Sequence, residues 1–220
     1  MKAVNIITNE ITPLKTSDSG DFALRQMEEL KVLHLPIVNN EDFLGLISEE
    51  DILNQEDTAQ SIGTYSLSLS RAAIFDSQHF YDVIKIIDEE KITLLPVVDS
   101  KNQYLGAISL QTVCHQLSKI TAVSNPGAVI VLEIFVHDYL MSQIAQIVES
   151  NDAKIMSMYV SNHADSTKMD VILKINKNDI TSIIATFNRY NYIIKETFSE
   201  SDYYEMLNSR YDEFISWLNV

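Results

Sequence analysis

The sequence predicts an α+β fold in two parts, and two observations carry that prediction. A unit of helix, short apolar strand, turn, second strand and helix occurs twice in the first half of the 220-residue chain. In the second half, apolar patterns of period two and of period 3.6 follow one another as strand, helix, two strands, helix and strand. We therefore expect a repeated module in residues 1–124, a second domain in 125–198 and a terminal helix in 199–220.

Composition excludes several classes of function before any motif is considered. The net charge of −15 makes nucleic acid and anionic membranes poor partners. The five glycines are too widely spaced for a glycine-rich phosphate loop. A single cysteine, Cys114, excludes an intrachain disulfide and a cysteine metal site, and we expect it to be buried as a small apolar residue. With no apolar run of membrane-spanning length and no signal-peptide pattern, we expect a cytoplasmic protein.

The two repeats, about residues 5–57 and 65–120, correspond segment by segment. Each has a helix with apolar spacing near 3.6, followed by a short apolar strand that contains proline. Polar turns then lead into a returning strand with a glycine at the same point, Gly45 and Gly106. The matched strands are Leu35–Val38 with Leu95–Val98 and Phe43–Ile47 with Tyr104–Ile108, and Lys31 matches Lys91. Two copies can bury against each other the apolar face that one copy would expose.

The repeated pattern, which runs from Leu-Pro through a turn to Gly and Ile-Ser-x-x-Asp, resembles the CBS domain. Two copies in tandem resemble a CBS pair, also called a Bateman module, over roughly residues 1–120. The resemblance implies a regulatory module that binds an adenosine-containing ligand between the repeats. It also implies that Ser48 and Asp51 hold the ribose and phosphate, and that Ser109 and Thr112 occupy the corresponding place in the second repeat. Thr112 supplies no carboxylate, so we expect Ser48 and Asp51 to form the better-equipped site.

Further contacts follow from the same resemblance. The lead-in segment Ile11–Leu14 corresponds to one that lines the adenine pocket in the family, so Thr12 is a candidate. The strand residues that either wall the base or fill the core are Leu35, Ile37, Leu95 and Val97. The prolines of the same strands, Pro36 and Pro96, either touch the ligand or shape an edge or strand end. For Ser48 and Asp51 there is also a purely structural interpretation, because a serine three residues before an acid at the start of a helix resembles a capping box. Ser109 is open to the same interpretation, as a helix cap.

The second half begins after the turn Asn125–Gly127. Its predicted strands are Ala128–His137, Lys154–Ser161, Lys168–Ile175 and Tyr192–Phe198, and its predicted helices are Tyr139–Asn151 and Asp179–Tyr190. This βαββαβ order predicts a ferredoxin-like domain, and it resembles an ACT domain, a small-molecule-sensing or dimerising module. ACT domains that bind amino acids usually have a glycine near the first helix, whereas His137–Met141 has none.

The chain ends in Ser201–Val220, where apolar and aromatic residues recur every three or four positions. That spacing predicts an amphipathic helix that packs on its own domain or forms a subunit interface. No catalytic motif and no pair of histidines with metal-ligand spacing is found, so we expect neither an enzyme nor a metal site.

The order of domains resembles the acetoin-utilisation B type of bacterial CBS-ACT protein. We therefore expect a non-enzymatic sensor that requires no cofactor, binds AMP, ADP, ATP or another adenosyl compound, forms a homodimer and acts on an unidentified regulated protein. The alternative is a structural or protein-interaction module whose ligand sites have degenerated, which Thr112 and the missing glycine favour.

Overall fold

The computed structural model describes residues 1–8, 11–65, 71–162, 167–199 and 217. The chain divides into two units, Met1–Gln116 and Leu117–Val220, each with its own sheets. The first unit has a two-stranded and a three-stranded sheet, and the second has a four-stranded sheet. The α+β fold class is therefore confirmed, while the domain boundary expected after residue 124 stays a prediction.

The first repeat consists of a helix, a strand hairpin and a short helix. Helix α1 spans Gly20–Leu30, strand β1 spans His34–Asn39, strand β2 spans Asp42–Ser48 and helix α2 spans Glu49–Leu53. Strands β1 and β2 pair antiparallel. The four central residues of β1 are all buried, so this short apolar run faces no solvent on either side of the strand.

The second repeat has the same plan with one further strand. Strand β3 spans Ile74–Phe75, helix α3 Phe80–Glu90, strand β4 Leu94–Val98, strand β5 Tyr104–Ser109 and helix α4 Leu110–Ile120. The sheet order is β3-β4-β5, with β3 parallel to β4 and β5 antiparallel to it. In the first repeat a single parallel bridge between Leu14 and Ile37 takes the place of β3.

The backbone repeats as closely as the sequence does. Both hairpins carry a β-bulge at the same position, and Gly45 and Gly106 lie opposite Ile37 and Val97 in the two registers. Helices α1 and α3 both end in a left-handed lysine, with φ of 55° at Lys31 and 53° at Lys91. The internal repeat predicted from the sequence is thus present in three dimensions down to the helix ends.

The N-terminal segment, residues 1–8, packs on the second repeat. Residues Ala3–Ile6 form a 3-10 helix, and the Thr8 amide donates to the carbonyl of Ala107 on β5 at 3.0 Å. A Cβ on Gly106 would overlap Cγ2 of Ile7, so the glycine permits this close approach. The N-terminal segment therefore reaches β5 before the chain enters α1.

The second unit has the predicted ferredoxin-like order. Its elements are β6 (Val129–Phe135), α5 (Met141–Glu149), β7 (Ile155–Asn162), β8 (Lys168–Ile175), α6 (Thr181–Arg189) and β9 (Ile193–Phe198). The strands are antiparallel in the order β7-β8-β6-β9. Alternate residues of β6 and β8 meet α5 and α6 in a core that includes Ile130, Leu132, Ile144 and Phe187.

Three local predictions differ from the structure. Strand β6 ends at Phe135 rather than at 137, because its neighbour β8 begins at the residue paired with Phe135 and Val136–Asp138 turns into a 3-10 helix. Helix α5 accordingly begins at Met141 rather than at 139. Cys114 is exposed rather than buried, because α4 buries Val113 and turns the adjacent position outward.

Of residues 200–220 the structure describes only Trp217, which is 76% exposed, so the predicted terminal helix lies outside the described residues. None of the helices in the described ranges combines the length and the apolar composition that a membrane span needs.

Candidate functional site

The two Ser-x-x-acid positions of the repeats begin helices α2 and α4, as the sequence predicts. At α2 the motif closes on itself. The Ser48 hydroxyl and the Ser48 amide both donate to Oδ2 of Asp51, at 2.7 and 2.9 Å, and the Asp51 amide donates back to Ser48 Oγ at 3.1 Å. This geometry is a capping box, so the structural interpretation of the motif is confirmed. A role for Ser48 and Asp51 in ligand binding stays a prediction.

At α4 the corresponding pair is less tightly closed. The Thr112 amide donates to Ser109 Oγ at 3.1 Å, and the two hydroxyl oxygens lie 3.0 Å apart. Ser109 therefore caps the helix, as expected, and both side chains are half-buried. Each hydroxyl can also accept or donate a bond to another molecule, because a hydroxyl has one donor and two acceptor positions.

A cavity of about 280 Å³ lies beside Ser109 and Thr112. It is shared between the repeats, because the N-terminal segment and the end of α1 form one wall and the first turns of α4 form the other. Its described lining residues are Thr8, Ile11, Leu30, Val32, Ser109, Gln111, Thr112 and His115. One wall is therefore mainly apolar, and the other presents hydroxyl, amide and imidazole groups.

The two motifs differ in charge as well as in shape. The first turn of α2 carries three acids, Glu49, Glu50 and Asp51, whereas the first turn of α4 carries none. Negative charge near a helix N-terminus stabilises the helix but repels a bound anion. At the start of the eleven-residue helix α4 the amides of Leu110 and Thr112 already donate, to the Thr93 carbonyl and to Ser109 Oγ, so α4 differs from α2 as surroundings for a phosphate in its lack of acids.

His34 links the two repeats next to the Ser48–Asp51 motif. Its Nδ1 accepts from the Thr93 amide at 3.3 Å and lies 3.2 Å from Thr93 Oγ1, which in turn accepts from the Leu33 amide at 2.8 Å. Burial lowers the pKa of His34, and the negative charge of Asp51 opposes that shift. The neutral imidazole is the form that accepts from the Thr93 amide, so this contact depends on His34 being unprotonated.

The remaining candidates divide by burial. Six strand residues are buried in the core of the first unit, namely Leu35, Pro36, Ile37, Leu95, Pro96 and Val97. Their burial favours the core-filling alternative, and contact with a base stays a prediction. Thr12 is exposed and is not among the residues that line the 280 Å³ cavity.

Sequence reasoning missed most of the cavity. Thr8, Leu30 and Val32 carry no motif, and only the packing of the N-terminal segment and the end of α1 brings them to α4. His115 offered a weak signal, since it lies three residues after Thr112 and so shares a helix face with it. Within the described residues no group of three or more histidine, cysteine or acidic side chains could hold a metal ion.

The helix–hairpin–helix module occurs twice in the first unit, and residues of both copies line one cavity. Residues 3–56 and 72–119 match the family model of the CBS domain. The chain therefore contains a tandem pair of CBS domains, and this part of the resemblance is confirmed.

Curated relatives share only part of their length with this chain. The inosine-5'-monophosphate dehydrogenase of Methanocaldococcus jannaschii is 25% identical over 113 residues, which are 51% of this chain and 23% of that enzyme. An uncharacterised protein of the same organism is 21% identical over 122 residues, 55% of this chain and 46% of its own length. The chain thus spans less than half of either relative.

Two solved structures show a similar fold. A CBS domain pair/ACT domain protein of Thermotoga maritima has a TM-score of 0.48 and 22% identity, and the match covers 54% of this chain and 98% of that one. The CBS-pair protein CBSX2 of Arabidopsis thaliana has a TM-score of 0.47 and 23% identity, over 55% and 96% of the two chains. CBSX2 has also been solved in complex with AMP.

Proposed function

We propose that this chain is a non-enzymatic regulatory protein whose CBS pair binds an adenine nucleotide in the cavity beside Ser109 and Thr112. The observation that carries the proposal is that this cavity is built from both repeats. A ligand there touches the N-terminal segment, the end of α1 and the start of α4 at once. It can therefore favour one arrangement of the repeats over another by its differential affinity for the two.

The chemistry of the walls suits a nucleoside. Ile11 and Val32 are buried apolar residues that can pack against a purine, while the hydroxyls of Ser109 and Thr112 can bind ribose or phosphate oxygens. The volume of about 280 Å³ is just below the range for small-molecule sites, roughly 300 to 1,000 Å³.

The same proposal extends to the rest of the chain. The second unit is an ACT-like domain of the kind that accompanies a CBS pair in the acetoin-utilisation B type of protein. The chain acts in the cytoplasm as a homodimer and passes the state of the nucleotide site to an unidentified regulated protein.

A thermal-shift panel with AMP, ADP, ATP, NAD and S-adenosylmethionine tests the proposal. A ligand that binds only the folded state raises the melting temperature with concentration. We expect a shift with at least one adenine compound, and we expect Thr112→Val to weaken it, because the variant keeps the shape of threonine and removes one hydroxyl.

Asp51→Ala serves as the comparison, since it alters the other motif. If Asp51→Ala abolishes the rise in melting temperature and Thr112→Val does not, the nucleotide site lies at Ser48 and Asp51 instead. No shift with any adenine compound up to millimolar concentration would refute nucleotide sensing.

One observation favours a second function, that of a protein-interaction module without a ligand. Asp51, the residue that the family resemblance assigns to the ribose, already receives two hydrogen bonds from Ser48. A chain that binds no adenine compound but forms a stable complex with a partner protein would fit this alternative.

A further inference from the structure

The charge around the proposed nucleotide cavity is unusually low for a site that receives phosphate. Among its described lining residues there is no lysine, arginine, aspartate or glutamate, and His115 is the one titratable side chain. Elsewhere the chain is strongly acidic, with a net charge of −15. Among the described lining residues a bound phosphate would therefore meet one imidazole but no lysine or arginine.

The position of His115 fits contact with a phosphate. It follows Thr112 by three residues on α4, so the two side chains lie on one face of the helix and both line the cavity. Gln111, the residue directly before Thr112, adds a side-chain amide donor to the same wall of the cavity. An imidazole N–H makes a charge-assisted hydrogen bond to a phosphate oxygen, and a protonated imidazole offers two such donors.

The amount of negative charge that this wall can balance is small. Proteins that hold di- and triphosphates do so with lysine, arginine or a bound magnesium ion, which neutralise the added charge. None of the described lining residues is a lysine or an arginine. Each phosphate beyond the first therefore adds repulsion from an acidic protein without a matching contact.

We infer that the cavity is selective for a nucleoside monophosphate over di- and triphosphates, and that His115 is the residue that recognises the single phosphate. The inference rests on the proposed function and narrows its ligand. It assigns to His115 a role that neither the Ser-x-x-acid motif nor the spacing of the histidines indicated.

Isothermal titration of the full chain with adenosine, AMP, ADP and ATP, without magnesium, tests the selectivity. We expect AMP to bind at least about tenfold more tightly than ATP, with ADP between them. If none of the four compounds binds, the present inference fails, and the proposed function fails as well if NAD and S-adenosylmethionine also leave the melting temperature unchanged. If ATP binds as tightly as AMP or more tightly, only the present inference fails and nucleotide sensing stands.

The role of His115 is tested by comparing two ligands that differ only in the phosphate. We expect His115→Gln to weaken AMP about fivefold to tenfold and to leave adenosine unchanged, since the difference between the ligands isolates the contact with phosphate. Cys114→Ser is the matched control, because Cys114 is the adjacent exposed residue on α4 and does not line the cavity. An equal loss for both ligands, or no loss for either, would overturn the assignment.

Discussion

At the scale of single residues, Tyr104 has a buried polar group that is not satisfied by a hydrogen bond among the described residues. Its hydroxyl is buried and has no hydrogen-bond partner among the described residues, and burial raises the pKa of its phenol above the ordinary value of 10.0. A buried polar group without a partner costs about 1 to 3 kcal/mol. We therefore expect Tyr104→Phe to keep or to raise the free energy of unfolding, by up to about 1 kcal/mol in urea denaturation.

The matched control for this prediction is Tyr65→Phe. The hydroxyl oxygen of Tyr65 lies 3.3 Å from the carbonyl oxygens of both Thr58 and Gln60 and can donate its one hydrogen to either, so the same change should lower stability there. A loss of stability in Tyr104→Phe as large as that in Tyr65→Phe would show that the Tyr104 hydroxyl does have a partner.

His34 predicts a dependence of stability on pH. Because burial lowers its pKa in the folded state, the unfolded chain binds a proton more readily as the pH falls below 6.5. The stabilising contribution of neutral His34 is thus present above pH 6.5 and is lost as the pH falls through the lowered value. We expect His34→Gln to reduce the loss of stability between pH 7.5 and about 5.5, measured by urea denaturation at each pH.

His137→Gln is the control for His34, because His137 is a surface residue with a side chain 75% exposed. The pH dependence of the free energy of unfolding should therefore differ between His34→Gln and His137→Gln. If the free energy of unfolding falls equally with pH in the wild type and in His34→Gln, the loss of stability at low pH does not come from His34.

Single residues also show what a motif can and cannot reveal. Ser48, Asp51, Ser109 and Thr112 could be found in the sequence because each pair lies within one helix turn and depends only on local geometry. That Ser109 and Thr112 face a cavity could not be found from the sequence, because the opposite wall comes from residues more than 70 positions away along the chain, such as Leu30.

At the scale of elements, the approach of the N-terminal segment to β5 is the feature to test. Gly106 has φ of 149°, and an added Cβ would overlap Ile7 Cγ2. We expect Gly106→Ala to lower the free energy of unfolding by more than about 1 kcal/mol, since alanine is strained at this φ and the segment must also move away.

The double variant Ile7→Ala/Gly106→Ala separates the two causes. Removing Cγ2 of Ile7 relieves the overlap but leaves the strain of the backbone, so Gly106→Ala should cost less in the Ile7→Ala background. Strict additivity of the two changes in urea denaturation would mean that the segment does not pack against Gly106.

Elements were predictable to the extent that their pattern is local. Strands β1, β2, β4 and β5 were located from apolar runs, turn residues and the repeat. The end of β6 was misplaced because it is set by where β8 begins, which the β6 sequence does not encode. The end of α1 at Lys31 could likewise not be predicted, because a left-handed residue at a helix end is usually glycine or asparagine and here it is lysine.

At the scale of the whole molecule, the segment Ser201–Val220 gives a prediction about assembly. Its predicted amphipathic helix lies outside the described residues, and of the two explanations we favour packing on its own domain. We expect a chain truncated after Glu200 to keep the oligomeric mass of the full chain and to melt at a lower temperature.

Light scattering after size exclusion measures the mass, and a thermal melt measures the stability. A full chain that is dimeric and a truncated chain that is monomeric but equally stable would instead make the segment the subunit interface.

The sequence by itself determined the class of fold, the repeat and the helix-opening motifs, because each rests on contacts between residues close together in the chain. It also determined the acidic charge that any anionic ligand must meet. Only the tertiary structure decided that Ser48 and Asp51 close on each other while Ser109 and Thr112 face a cavity. The reason is that the cavity is formed where the N-terminal segment and α1 meet α4, and that meeting depends on packing between distant parts of the chain.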